Sequence, residues 1–419
     1  MSNGRSQGGG NAGRQTLLKE KPYSFVPLNT QVERQRPVGH AQLCSNLYSG
    51  RLELQITCLT PVHIFSGLYS QHSQHGLYKV FARRGEKPVI PGSSIKGVVR
   101  SVAEAVSKSC APRLPDNNNW LRGCLPEGNR QRCDDHGGQQ AADRMELCPA
   151  CRLFGHSSGQ QGRRGQVAFS DFHLVGEPAR QLDIITLPAL SKPFEDYPPK
   201  KKRSKENNNV NQVYYPGGRI DIGNERLYYC RLCDEDCLSC SKSDFWQRLS
   251  SLPAREALNR PRLFRGRKFY YHSQQPEVGR NNSAAREKHE VARKDSVFQG
   301  QVVFHNLNRE ELSLLVFSLG LDGSFCLKIG YGKPAYLGSV QVELLKVENL
   351  LRRYGVPTPD QPPWDTLEAI QELARQYDQN GDEAIARAVT ELRRILDWNN
   401  PRGPAWREVM ISGQEMKIY

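Results

Sequence analysis

The first clear pattern in the chain has period two. Leu52-Glu53-Leu54-Gln55-Ile56-Thr57-Cys58 is apolar at every second position, as a strand with one covered face requires, and Pro61 closes it. Phe65 to Pro88 holds no sustained period and reads as a loop. The period then lengthens over Ile90–Val106 (IPGSSIKGVVRSVAEAV). There Ile95, Val98, Val99, Val102 and Val106 fall on one face of a helix, with Ser93 or Ser94 as N-cap. Gly162–Phe172 (GRRGQVAFSDF) predicts a second strand behind a Gly/Arg loop, and Phe298–Leu307 (FQGQVVFHNL) a third. The helix after it has Asn308 as N-cap, Glu311 at the third helical position and Gly320 as its stop. Val340–Leu344 is a final strand, and past Asn349 the pattern is helical. One apolar stripe there is Leu367, Ile370, Leu373 and Ala374; another is Ala388, Val389, Leu392 and Ile395.

These elements divide the chain into five parts. Residues 1–50 form an N-terminal extension whose first 16 positions, rich in Gly, Ser and Asn, are expected to be disordered. Residues 51–191 and 265–346 are two strand-and-helix halves, 192–264 read as an insertion, and 347–419 as a helical tail. Within the insertion a short helix is expected near Phe245–Leu252. Gly165–Asp171 matches Gly300–Asn306 at four of seven positions, as a weak internal repeat would. The order strand, helix, strand, insertion, strand, helix, strand predicts an α+β fold on a split βαβ sheet of ferredoxin type.

Charge narrows the class of partner. The net charge is +14, while the stretch from Val347 onward carries nine basic against twelve acidic residues, so the excess lies in the body. A basic body points to a polyanion. No apolar run approaches the roughly 20 residues that span a bilayer, and the first residues lack the apolar core of a secretory signal. A soluble intracellular protein is the expectation, and it makes disulfides a poor use for the twelve cysteines.

Clustered cysteines suit a metal better. Cys148-Pro149-Ala150-Cys151 is a half-site for zinc that Cys124 and Cys133 would complete, with Cys110 or His136 as substitutes. Cys230, Cys233, Cys237 and Cys240 place four thiols in eleven residues, a second candidate zinc site. Cys44, Cys58 and Cys326 stand singly in or near apolar stretches and read as core residues.

Two segments have the make-up of a phosphate contact. The helix opened by Pro91-Gly92-Ser93-Ser94 offers backbone N–H groups and a positive dipole end, with Lys96 and Arg100 four residues apart beside the apolar stripe. The stretch Lys328–Ser339 (KIGYGKPAYLGS) combines glycines, lysines and tyrosines, suited to close backbone approach, phosphate pairing and stacking. It lacks the Gly-Lys-Ser/Thr ending of a nucleotide-binding P-loop. Lys200–Lys205 (KKKRSK) reads as a solvated loop that touches phosphate.

IPGSSIKGVVRS, CPACRLFG, RRGQVAFSDF, RGRKFYYH (Arg265–His272), FQGQVVFHNL and KIGYGKPAYLGSV, in this order, resemble the RAMP superfamily of CRISPR-associated proteins. The likeness runs in patches from Leu52 to Leu344 and is greatest to the Cas-seven-type backbone subunits of type III effectors. It implies an RRM-like, ferredoxin-type core that stacks along a guide RNA and meets a target RNA. Its partners would be neighbouring RAMP subunits and a large polymerase/cyclase-like subunit, in a prokaryotic cytoplasm. Carried onto this sequence, RNA contacts fall at Ser93, Ser94, Lys96, Arg100, Arg163 and Arg164. A second set falls at Gly330, Gly332, Lys333 and Ser339, and the cysteine group before Leu153-Phe154-Gly155 matches a structural zinc site.

One departure bears on catalysis. Target-cleaving relatives carry an aspartate between the first strand and the Pro-Gly-Ser-Ser helix, and Ile64–Val89 has none. An RNA-binding scaffold is therefore the leading expectation. An endoribonuclease using His72, His75 or Glu86 for acid–base chemistry is the second. A zinc-dependent nucleic-acid-binding regulator is the third.

Overall fold

A strand of eleven residues, Tyr48–Cys58, is hydrogen-bonded along its length to two others of the same size. In the computed structural model the described residues are 23–111, 127–130, 133, 146–156, 162–188, 212–215, 218–221, 266–276, 286–357, 363–379 and 381–400. The first strands are β1 (Tyr23–Val26), β2 (Tyr48–Cys58), β3 (Phe65–His72), β4 (Gly76–Phe81), β5 (Arg83–Arg84) and β6 (Lys87–Ile90). Then come β7 (Gly155–His156), β8 (Arg163–Arg164), β9 (Val167–Phe169), β10 (Phe172–Leu174), β11 (Leu182–Pro188), β12 (Gln212–Tyr215) and β13 (Gly218–Asp221). The last are β14 (Arg267–Tyr270), β15 (Arg286–Ala292), β16 (Val297–Leu307), β17 (Leu327–Lys328) and β18 (Ser339–Asn349). The helices are α1 (Gly92–Val106), α2 (Glu127–Arg130), α3 (Pro149–Phe154), α4 (Pro178–Gln181), α5 (Arg309–Ser318), α6 (Leu350–Arg353), α7 (Leu367–Arg375) and α8 (Glu383–Leu396).

The main sheet runs β17-β18-β2-β16-β10-β6-β5, and β9 also pairs with β16. β2 is antiparallel to both neighbours, with Thr57 opposite Val297 and Cys58 opposite Val340. The expected alternation holds: Leu52, Leu54, Ile56 and Cys58 are buried on one face. On the other face Gln299 Nε2 donates to Gln55 Oε1 at 3.0 Å and Gln55 Nε2 to Glu343 Oε2 at 3.1 Å. The open face is thus a polar ladder at its centre. A smaller sheet, β11-β15-β4-β3, lies alongside, with β15 parallel to β4.

Helices α1 and α5 cover the buried face of the main sheet. Ile95, Val99, Val102 and Val106 of α1 are buried in one cluster with Leu312, Leu315 and Val316 of α5. The capping box of α5 forms as its sequence predicts: Glu311 N–H donates to Asn308 Oδ1 at 2.8 Å, and Asn308 N–H to Glu311 Oε2 at 3.1 Å. The helix ends at Ser318, and Gly320 follows with φ +76°.

The helical tail closes onto this same core. Ile370, Leu373, Val389, Leu392 and Ile395 belong to the cluster that α1 and α5 build. Tyr377 Oη donates to Val106 O at 2.9 Å, Ser313 Oγ to Leu373 O at 2.7 Å, and Lys108 pairs with Asp382 at 2.5 Å.

Two expectations are corrected here. Phe65–Pro88 is not a loop but the hairpin β3–β4 followed by the pair β5–β6. Phe65, Leu68, Tyr69 and Leu77 of the hairpin face solvent, so burial imposes no alternation along most of it. The N-cap of α1 is Pro91, with no side-chain cap bond, and Ser93 and Ser94 lie inside the first turn. The Gly92 N–H is met instead by Asp171 Oδ1 at 2.9 Å. Of residues 192–264 only the hairpin β12–β13 is described. Positions 1–16, Lys200–Lys205, the helix expected near Phe245–Leu252, and Cys230, Cys233, Cys237 and Cys240 lie outside the described residues. Among the described residues no helix is long and apolar enough to cross a membrane.

Candidate metal centre and nucleic-acid interface

Cys110, Cys133, Cys148 and Cys151 are all buried, and their sulfurs lie within 4.8 Å of one another. Cys148 Sγ is 3.6 Å from Cys110 Sγ, and Cys110 Sγ is 3.9 Å from Cys151 Sγ. Four sulfurs bonded to one zinc at about 2.3 Å would sit about 3.8 Å apart at the corners of a tetrahedron. The four thiols fit that ion. Cys110, weighed as a substitute from sequence, is the fourth member of the set, and Cys124 lies outside the described residues.

Local structure explains how the four meet. Cys148 caps α3 and Cys151 sits within its first turn, so one short helix presents two sulfurs on the same side. The Cys148 N–H donates to Cys133 Sγ at 3.2 Å, and the Ala150 N–H to Ser109 Oγ at 3.0 Å. Cys110 arrives from α1, four residues beyond its last turn. Burial acts to raise the Cys148 thiol, yet hydrogen bonds with Cys110, Cys133 and Cys151 outweigh it and hold the thiol well below its ordinary value. Cys58 and Cys326 stand apart from this group, and burial pushes each thiol up to about 12.

From this centre the chain runs directly into the basic segments. Gly155 and His156, just after α3, pair in β7 with Arg164 and Arg163 in β8. Arg164 is exposed; Arg163 is half-buried and donates to Val38 O at 3.0 Å. Arg100 of α1 donates from Nη1 to Gly155 O at 2.7 Å and from Nε to Glu104 Oε1 at 2.7 Å. Its guanidinium is therefore committed within the protein, although sequence placed it at a phosphate. Lys96, one turn earlier, is half-buried, and burial lowers its ammonium somewhat. Ser93 and Gly97 are exposed beside it, and Ser94 is half-buried.

The glycines divide into two kinds. A side chain at Gly92 would meet Phe169 O at 2.3 Å, so Gly92 serves close packing on the chain's own strand rather than on a phosphate. Nothing lies within 4 Å of a side chain built at Gly97, which leaves open space next to Lys96.

The stretch from Lys328 to Ser339 is likewise turned towards the protein. Gly330 has φ +79°, and a side chain there would meet His63 O at 2.3 Å. Gly332 has φ +77° and abuts Leu337 and Leu187. Ser339 is fully buried, its hydroxyl 2.9 Å from His272 Nδ1, a correction to its expected place on an RNA-facing surface. Lys333 is half-buried, and burial pulls its ammonium down to about 8.

Of the candidate acid–base residues, His72 and His75 come together and Glu86 stands apart. His72 is exposed near the tip of the β3–β4 hairpin, its ring 4.9 Å from that of His75. Glu86 is exposed in the separate turn between β5 and β6. The hairpin has another character, which the sequence did not bring out. Phe65 (42%), Leu68 (66%), Tyr69 (57%) and Leu77 (65%) account for four of the seven large hydrophobic side chains exposed among the described residues.

At the base of the hairpin lies a buried histidine pair that sequence reasoning passed over. His63 and His289 have rings 4.7 Å apart, and His289 stacks on Tyr331 at 5.0 Å. His63 Nδ1 lies 2.6 Å from Glu290 O, which sets that nitrogen as the donor. Burial pushes His289 down to about 4 and lowers His63 as well, so both rings are neutral at physiological pH. Glu290 also holds the hairpin, accepting both guanidinium nitrogens of Arg83 at 2.7 Å and the Phe81 N–H at 2.8 Å.

A search of curated proteins returned no match to the chain. The model of the RAMP superfamily matches residues 55–321, which takes in the end of β2 from Gln55, the hairpin, α1, the four-thiol centre, the Arg163–Arg164 arm and α5. Covering more than half of the chain, that match identifies this protein as a member of the RAMP superfamily.

Proposed function

We propose that this chain is a guide-RNA-binding backbone subunit of a type III CRISPR effector ribonucleoprotein, acting in the prokaryotic cytoplasm in antiviral defence. Family membership supports a CRISPR-associated role with RNA as partner. The observation that carries the reading is the pairing of two basic elements on one rigid brace. The first turn of α1, with Ser93, Lys96 and the open Gly97, and the arm bearing Arg164 are both tied to the four-thiol centre. Backbone phosphates of a single strand would lie along the α1 turn and the arm, held by charge and by N–H and hydroxyl donors. Zinc bound by Cys110, Cys133, Cys148 and Cys151 would act structurally, closing a loop that has little apolar core of its own.

The exposed hairpin adds a second kind of contact. Phe65, Leu68, Tyr69 and Leu77 present apolar and aromatic faces against which unpaired bases can stack, with no demand on sequence. The open face of the main sheet carries glutamine and glutamate at its centre rather than aromatic rings, which favours the hairpin as the base-contacting surface.

The strand order β18-β2-β16-β9, with α1 between β2 and β9 and α5 between β16 and β18 along the chain, supports a split βαβ core of ferredoxin type. Neighbouring RAMP subunits, a large polymerase/cyclase-like subunit and a target RNA complete the assembly. We read the chain as a scaffold rather than a nuclease, because Ile64–Val89 contains no aspartate and His72 and Glu86 lie on different turns.

The test is purification of the tagged chain from its own host, followed by identification of bound RNA and protein. A set of short guide RNAs together with other effector subunits is expected. Recovery of the chain without RNA, or with unrelated RNA fragments and no partner subunits, would contradict the proposal.

A further inference from the structure

Arg100 and Arg267 stand on either side of the same carboxylate, and each reaches a different ligand of the thiol centre. Glu104 is almost fully buried; its Oε1 accepts from Arg100 Nε at 2.7 Å and its Oε2 from Arg267 Nη1 at 2.7 Å. Arg267 continues through Nη2 to Cys110 O at 2.9 Å. Arg100 continues through Nη2 to Cys151 Sγ at 3.7 Å, within hydrogen-bond reach of sulfur. Its third contact, Nη1 to Gly155 O at 2.7 Å, holds the start of the strand that pairs with the Arg163–Arg164 arm.

Charge accounts for this arrangement. Four thiolates around one divalent zinc carry a net charge of about −2, which a buried site must balance. Arg100 and Arg267 supply two positive charges and Glu104 returns one negative charge, so the three together offset about half of it, and Glu104 fixes both forks in place. A planar guanidinium can meet a sulfur, a carboxylate and a carbonyl at once from its separate nitrogens; an ammonium cannot. Arg100 also lies one turn after Lys96 on the same face of α1, so whatever fixes Arg100 fixes the orientation of that turn.

We propose that Arg100 is a positioning residue of the metal centre: it donates to the Cys151 thiolate and so slows loss of the zinc. This rests on the reading of the four thiols as a zinc site, and it assigns Arg100 a role other than direct phosphate contact. Hydrogen bonds to ligand atoms around a metal typically change its affinity by about 10- to 100-fold.

The experiment compares full-length wild type with Arg100→Gln and Arg100→Lys, all purified with their native metal. Two quantities are read: the rate of zinc release to a chromogenic chelator, and the slope of single-stranded RNA affinity against salt. The proposal expects R100Q to release zinc about tenfold faster or more, R100K to fall between R100Q and wild type, and the salt slope to keep its wild-type value in both. R100K retains the charge beside Glu104, so it supplies the answer should R100Q not fold. Zinc release unchanged in both variants, together with a salt slope lowered by about 0.7 in R100Q, would overturn the proposal and make Arg100 a phosphate contact. A wild-type protein holding no zinc would overturn the metal centre itself, and this assignment with it.

Discussion

Arg152 Nε lies 2.6 Å from Glu311 Oε1, and both side chains are less than a tenth exposed. The pair joins α3, which carries two of the four thiols, to the first turn of α5, where the same carboxylate closes the capping box. Removing either partner leaves a charge buried and unpaired, which costs about 3–5 kcal/mol. Arg152→Ala and Glu311→Ala should each lower the unfolding free energy obtained from urea titration by an amount of that order. Glu311→Gln, which keeps the cap acceptor, should cost less than Glu311→Ala. Equal effects of the two Glu311 variants would mean that the cap adds nothing.

Metal content is directly countable. Replacing Cys148 and Cys151 together by serine should reduce zinc by about one ion per chain relative to wild type, as measured by elemental analysis of protein prepared without added metal. An unchanged count would remove Cys110, Cys133, Cys148 and Cys151 as ligands.

Much of this was legible in the sequence because local pattern and burial agree. The alternation in Leu52–Cys58, the apolar stripe of α1, the Asn308–Glu311 box and the Cys148–Cys151 pair each determine a local geometry that the tertiary structure then uses. What was not legible depends on distant partners. Gly92 is dictated by Phe169 O, and Arg100 by Glu104, Gly155 and Cys151; neither can be told from a phosphate-binding residue by its neighbours in the chain. The β3–β4 hairpin escaped because Phe65, Leu68, Tyr69 and Leu77 are exposed, where no buried face imposes a period. The helical stripes of α7 and α8 were plain, but only the fold shows that they cover α5 and α1.

Acid should destabilise the fold through its buried imidazoles. Burial lowers His272 to about 3 and His289 to about 4, below the ordinary histidine value of about 6.5. Unfolding therefore takes up protons once the pH drops below about 6.5. The stabilisation is complete above that value and is lost progressively as pH falls towards 4. The urea midpoint should drop between pH 7 and pH 5, and His289→Phe should make that drop shallower. A midpoint that is flat across this interval would contradict the neutral, buried state of these rings.

Cleavage of guide-paired RNA should not depend on the hairpin histidines. Assembled complexes carrying His72→Ala, His75→Ala or Glu86→Ala in this subunit should give the same cut positions as wild type on denaturing gels. Loss of one cut in any of the three variants would favour the nuclease reading over the scaffold.

The central claim is that single-stranded RNA is held by its phosphates across the α1 turn and the arm of β8. The salt dependence of RNA affinity tests it most directly, comparing wild type with the double variant Lys96→Ala/Arg164→Ala. Each phosphate contact to a single strand contributes about 0.7 to the slope of log affinity against log salt. The account predicts weaker binding on every RNA sequence tested and a slope reduced by about 1.4 in the double variant. Wild-type affinity and an unchanged slope in that variant would contradict it.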